Sequence, residues 1–211
     1  MNSGGCDLIV LVPDRNMEAA ISGLLCRSEA LAIRPVTFHI YMHIERDPGC
    51  YHRAHDFLRP MTARASRALV VFDRVGSGRE GDSASDLEQQ VTRRLSAAGW
   101  GNRASAIVLD PELEVWVWGD SPHVDRCLGW EGQHPSLRVW LREQGLWPTD
   151  EPKPKDPKRA VELALRRARK PRSSAVYRQL ADTVGLQRCS DPAFARLCAL
   201  LRTWFPISQP Y

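Results

Sequence analysis

Residues 8–18 read Leu-Ile-Val-Leu-Val-Pro-Asp-Arg-Asn-Met-Glu, and the fold is decided there. Leu8 to Val12 is a short apolar run rich in branched side chains with no polar alternation, the pattern of a strand covered on both faces. Pro13-Asp14 ends it. From Asn16 to Arg27 the apolar residues Met17, Ala20, Ile21, Leu24 and Leu25 return at helical spacing, so strand, turn and helix follow in order.

The same pattern recurs downstream. Ala68 to Phe72 (ALVVF) reads as a buried strand ending at Asp73, followed by the glycine turn Val75-Gly76-Ser77-Gly78. Ala84 to Ala98 is then amphipathic, with Leu87, Val91 and Leu95 on one face and Gly99 as its stop. Pro35–His43 and Ala104–Leu109 supply two more strands, and Arg53–Ser66 a helix broken at Pro60. Strands alternating with helices imply βαβ units, so residues 1–120 are expected to form an α/β domain with a mostly parallel sheet flanked by helices.

Beyond residue 110 the strand signals fade. Asp110-Pro111-Glu112 predicts a helix start, with Asp as N-cap and Pro in the first turn. Short helices are expected at Pro122–Leu128 and Pro135–Gln144. Thr149–Pro157 (TDEPKPKDP) reads as an exposed connector, and helices at Pro157–Lys170, Ala175–Val184 and Asp191–Trp204 close the chain. Residues 121–211 are thus a small helical C-terminal region that carries a basic segment, 153–172.

The 211 residues are 43% hydrophobic and 26% charged, which excludes collagen-like and wholly disordered classes. No apolar run approaches the ~20 residues of a membrane span. The first residues lack both a basic region and a long apolar segment, so a cytoplasmic protein without membrane contact is expected. Six scattered cysteines without a CxxC pair read as free thiols. Residues 151–211 hold 13 Lys/Arg against 5 Asp/Glu, leaving 16 against 20 in residues 1–150. An acidic body with a basic C-terminal part suggests an anionic partner such as nucleic acid. A solvated helix surface is the plainer alternative.

In an open parallel sheet, ligands bind outside the carboxyl ends of the strands. Asp14 follows the first strand, with Glu18 one helical turn on; Asp73 follows the third; Asp110, Glu112 and Glu114 follow the fourth. Carboxylates converging on one edge suit Mg²⁺ or Mn²⁺, and a cation held there could bind a scissile phosphate and activate water. Each acid, taken alone, also suits a helix N-cap. In the basic segment, Arg166, Arg169 and Lys170 share a helical face; Lys158 stands near the start of that helix. Arg172 and Ser173 precede the next helix, together making a candidate clamp for a nucleic-acid backbone. His43, Cys50, His52 and His55 lie within 13 residues but match no common zinc spacing. The glycines at 76, 78 and 81 lack the lysine of a phosphate-binding loop.

The acids after the first and third strands resemble the TOPRIM fold, the metal-binding domain of topoisomerases, primases and OLD-type nucleases. The resemblance rests on Pro13-Asp14-Arg15-Asn16-Met17-Glu18, where that family places a Glu, and on Phe72-Asp73-Arg74-Val75, where it places Asp-x-Asp. Val75 stands at the second acid position, and Glu80 or Asp82 would have to replace it. Asp110–Trp116, with its Glu-x-Glu-x-Trp pattern, and the closing run Tyr177–Trp204 are similar to a TOPRIM-like bacterial family linked to phage defence. Together with Lys170-Pro171-Arg172-Ser173-Ser174, these segments most resemble the small TOPRIM-like subunit of methylation-associated defence systems. The resemblance implies an antiviral defence component working with other proteins of its operon. It further implies a Mg²⁺- or Mn²⁺-dependent nuclease, with Asp14, Glu18, Asp73, Glu112 and Glu114 as catalytic acids and Asp14, Asp73, Glu112 and Glu114 as metal ligands. Two readings stand beside this one: a non-catalytic docking or sensing subunit, and a phosphatase or phosphotransferase acting on small molecules.

Overall fold

A computed structural model describes residues 5–119, 121–186 and 189–207. The chain runs β1 (Cys6–Val12), α1 (Arg15–Leu25), α2 (Ser28–Leu31), β2 (Phe38–Met42), α3 (Arg46–Leu58), β3 (Ala65–Asp73), α4 (Ala84–Leu95) and β4 (Ala104–Leu109). It continues through α5 (Pro122–Leu128), α6 (Leu137–Glu143), α7 (Pro157–Arg167), α8 (Ser174–Thr183) and α9 (Pro192–Trp204). All four strands are parallel, in the order β2-β1-β3-β4. The α/β class and the parallel sheet are therefore as the sequence implies.

Alternation along the strands makes two cores. Leu8, Val10, Val12, Leu69, Val71, Ile107 and Leu109 point to one face, where α1 and α2 pack together with the helices of the C-terminal region. Ile9, Leu11, Val70, Phe72 and Val108 point to the other, against α3, α4 and Trp100. Each such side chain removed from water contributes about 1.5–3 kcal/mol before entropy is counted. The helices after residue 121 thus share the core of the first sheet face. Gly23 lets α1 and α8 approach closely, because a Cβ there would stand 2.7 Å from that of Ala181.

Two boundaries that bear on the site differ from the sequence reading. α3 begins at Arg46 rather than Arg53 and ends at Leu58. Pro48 falls in its first turn, where the missing N–H has no helical partner anyway, and Pro60 sits in the short 3-10 turn that follows. Asp110 does not cap a helix. The Asp110–Pro111 peptide is cis, and the carbonyls of Leu109 and Pro111 accept from Arg74 N (2.8 Å) and Val75 N (3.0 Å). Chain pairing thus continues past the ends of β3 and β4, and the turn Leu113–Trp116 begins only after an extended Glu112. Gly99, at φ +101°, ends the turn after α4 in the left-handed region that glycine tolerates.

Candidate acid centre at the carboxyl edge of the sheet

Strand order changes direction between β1 and β3, and the crevice above that point is where open parallel sheets bind ligands. Asp14 leaves β1 and Asp73 ends β3, so both stand at this crevice. Asp14 is the N-cap of α1: its Oδ1 accepts from Asn16 N (2.9 Å) and Met17 N (3.0 Å). One helical turn on, Glu18 lines a shallow groove with Arg15, Ser22, Met42, Ser174 and Arg178 instead of joining Asp73.

Asp73 is the focus. Its Oδ1 is sealed from solvent and has no hydrogen-bond partner. Burial raises its carboxyl well above the usual carboxylate range, and the nearby charges of Asp47, Glu114, Glu112 and Asp14 raise it further. The acids that follow β1, β2 and β4 thus all disfavour the charged form of Asp73 at the end of β3.

Asp47, in the first turn of α3, was not among the residues singled out from sequence. Its Oδ1 accepts from Asp73 N at 2.9 Å. Burial pushes it up to about 6; Asp14 adds to the shift, while the Asp73 amide and Lys158 oppose it. The rule that located Asp14 and Asp73, an acid just past a strand, would have found it had α3 been started seven residues earlier.

Beyond Asp110, the segment after β4 ties Glu112, Glu114 and Trp116 to three different helices. Glu112 (7% exposed) accepts from Lys158 Nζ of α7 at 3.0 Å. Glu114 (3% exposed) accepts from Arg172 Nη2 at 2.9 Å and from Tyr177 Oη of α8 at 2.5 Å. Trp116 Nε1 donates at 2.9 Å to Asp191, the N-cap of α9. The period-two spacing of Glu-x-Glu-x-Trp therefore staples the C-terminal helices to the sheet. Burial raises the Glu112 carboxyl despite its lysine. Lys158 itself is raised: burial works against its charge, and Glu112 and Glu114 overcome that.

The basic segment divides accordingly. Lys158 and Arg172 face the acids, and Arg172 also pairs with Glu162 at 2.6 Å. Lys170 Nζ donates to the carbonyl of Cys127 at 2.6 Å. Arg166 and Arg169 are exposed and make no ion pair among the described residues. Ser173 is the N-cap residue of α8, without a side-chain capping bond.

In the glycine turn, Val75 is 44% exposed. Glu80 accepts from Gly76 N (2.9 Å) and Gly78 N (3.3 Å), while Asp82 pairs with Arg79 at 2.7 Å. Asp110 pairs with Arg74 at 2.8 Å. Of the histidine and cysteine group, Cys50 is fully buried in the second core, and burial drives its thiol far up. His43 Nδ1 accepts from Glu45 N at 3.1 Å.

The donor chemistry of the crevice fits a hard divalent cation: carboxylate oxygens only, one of them buried and unpartnered. Among the described residues, no three His, Cys, Asp or Glu side chains stand close enough to hold an ion as they are. A cation at Asp73 would therefore need side chains to shift toward it. No described helix is long and apolar enough to cross a membrane. The chain matches no protein-family model, no curated protein and no solved structure.

Proposed function

We propose that the chain is a TOPRIM-like component of a bacterial anti-phage defence system, of the methylation-associated kind. Its acid centre takes Mg²⁺ or Mn²⁺ and serves phosphodiester hydrolysis on nucleic acid. The observation that carries this reading is the buried, unpartnered Asp73 Oδ1 among like charges. An isolated buried carboxylate oxygen is costly unless a proton or a cation satisfies it. Asp73 and Asp47 would hold the cation, with Asp14 beside them; Glu112 and Glu114 are already neutralised by Lys158 and Arg172. A divalent ion here would polarise a phosphoryl oxygen and lower the pKa of a bound water. Exposed Arg166 and Arg169 would meet the backbone of the nucleic acid, and other proteins of the operon would complete the assembly.

The test is Mn²⁺-dependent cleavage of single- and double-stranded DNA and RNA by the wild-type chain and by Asp73→Asn. Cleavage abolished by the substitution supports the reading. Cleavage equal in both proteins refutes it.

Val75 at the second acid position and the internal cations on Glu112 and Glu114 favour a second reading, a docking or sensing subunit without catalysis. A stable complex with proteins of the same operon, formed by a chain that cleaves nothing and binds no metal, would select it.

A further inference from the structure

We propose that the cavity between α5 and α6 is a binding site for a guanine base, whose donor edge meets Asp125 and whose acceptor edge meets Arg138. The site lies in the helical C-terminal region and uses none of the carboxylates of the acid centre. It therefore goes beyond the reading above and does not depend on it.

The cavity measures about 340 Å³, within the range of about 300–1,000 Å³ usual for small-ligand sites. Trp118, Val124, Leu137 and Trp147 give it apolar walls. The two indoles stand edge to face with ring centroids 5.4 Å apart. Both are held in place: Trp118 Nε1 donates to the carbonyl of Pro157 at 3.0 Å, and Trp147 Nε1 to that of Glu151 at 2.9 Å. Fixed aromatic walls suit a flat ring.

Two opposite charges line this cavity without meeting. The carboxylate of Asp125, half-buried on α5, has no hydrogen bond and no ion pair among the described residues. Arg138 of α6 lays its guanidinium 4.5 Å over the Trp147 ring, and its N–H groups have no acceptor among the described residues. A half-buried carboxylate left unbonded is costly; burial raises this one, and Arg138 opposes the rise.

The carboxylate only accepts and the guanidinium only donates. A simple cation would suit Asp125 and be repelled by Arg138, and a simple anion the reverse. A flat ligand with donors on one edge and acceptors on the next satisfies both. Guanine has that pattern. Its N1–H and N2 amino group lie side by side, matching two carboxylate oxygens, and its O6 and N7 are the acceptors that arginine takes. Adenine and cytosine offer one amino group beside acceptors, and thymine a single ring N–H.

Calorimetry of the full chain with guanosine, inosine and adenosine tests this, since uncharged nucleosides give the basic segment no phosphate to hold. Saturable binding of guanosine is expected. Inosine, which lacks only the N2 amino group, should bind about tenfold or more weakly, the loss of one hydrogen bond to a charged acceptor. Asp125→Asn should lose guanosine to a similar degree. A single-stranded oligothymidine with one guanine, against oligothymidine alone, separates the free nucleoside from a base within a strand: a preference for the guanine strand supports the site even where guanosine alone is too weak to bind. No guanosine binding together with no preference between the strands overturns the proposal. Equal affinity for guanosine and inosine also overturns it, as does guanosine binding unchanged in Asp125→Asn. The nucleoside series uses the wild-type chain, so it decides even where Asp125→Asn fails to fold.

Discussion

Replacing Tyr177 with Phe removes one oxygen from the staple between β4 and α8 and changes nothing else in shape. The Tyr177 ring is 2% exposed, and its hydroxyl donates at 2.5 Å to Glu114, itself 3% exposed. The main loss is a hydrogen bond to a buried charged acceptor, worth about 1.5–3 kcal/mol; the long bond that the hydroxyl accepts from Arg172 Nε at 3.4 Å goes with it. Arg172 stays at 2.9 Å, so Glu114 remains paired and the larger penalty of an isolated buried charge is avoided. Phe fills the same space, so no cavity adds to the cost. A destabilisation of about 2 kcal/mol is expected, lowering Tm by about 4–8 °C in a chain of this size. Urea unfolding followed by the fluorescence of the seven tryptophans reads this as a lower midpoint at unchanged slope. Glu114→Gln combined with Tyr177→Phe should cost less than the two single changes summed, because they share one bond. A single-variant loss under about 0.5 kcal/mol, the range of an ordinary surface change, would refute the staple.

Two further expectations follow from the same contacts. Gly23→Ala places a methyl 2.7 Å from Ala181 Cβ at the α1–α8 crossing, so the helices must part, at a cost of about 1–3 kcal/mol by thermal unfolding; a neutral result would show that the crossing yields freely. Asp47, raised to about 6 by burial, binds its proton more tightly folded than unfolded, so its contribution to stability is complete below the unfolded value near 4 and is lost as pH rises through about 6. Asp47→Asn keeps an acceptor for Asp73 N but cannot ionise. In chelator-treated protein it should therefore flatten the fall in stability between pH 4.5 and 7.5 and be the more stable form at pH 7.5, by roughly 1–3 kcal/mol. Parallel pH curves for the two proteins would contradict this.

Much of the sheet was legible because its signals are local. LIVLV, ALVVF and ASAIVL are short apolar runs rich in branched side chains, the pattern of a strand covered on both faces, and each is one. The amphipathic face of α4 and the proline-led starts of α7 and α9 were equally plain. The start of α3 was hidden because RDPGC carries a proline and a glycine, residues that normally break a helix but fit in a first turn. That misplaced start concealed Asp47. Asp110-Pro111 looked like a helix cap because cap chemistry is local, whereas the main-chain bonds from Arg74 and Val75 that hold this segment extended come from another strand. The acids were visible as strand-end residues, but their partners were not. That Glu112, Glu114 and Trp116 each fasten a different helix depends on contacts 46, 63 and 75 residues distant. The basic segment was likewise visible as charge, while its division into inward Lys158 and Arg172 and outward Arg166 and Arg169 required the fold.

The central claim is that Asp73 belongs to a divalent-cation site, and isothermal calorimetry with Mn²⁺ on the wild-type chain and on Asp73→Asn tests it most directly. The account predicts saturable binding to the wild-type protein, weakened at least about tenfold in a variant that keeps its fold by circular dichroism, since the substitution removes a charged oxygen ligand from a hard-cation site. Equal affinity in the two proteins, or no binding to the wild-type chain, would contradict it.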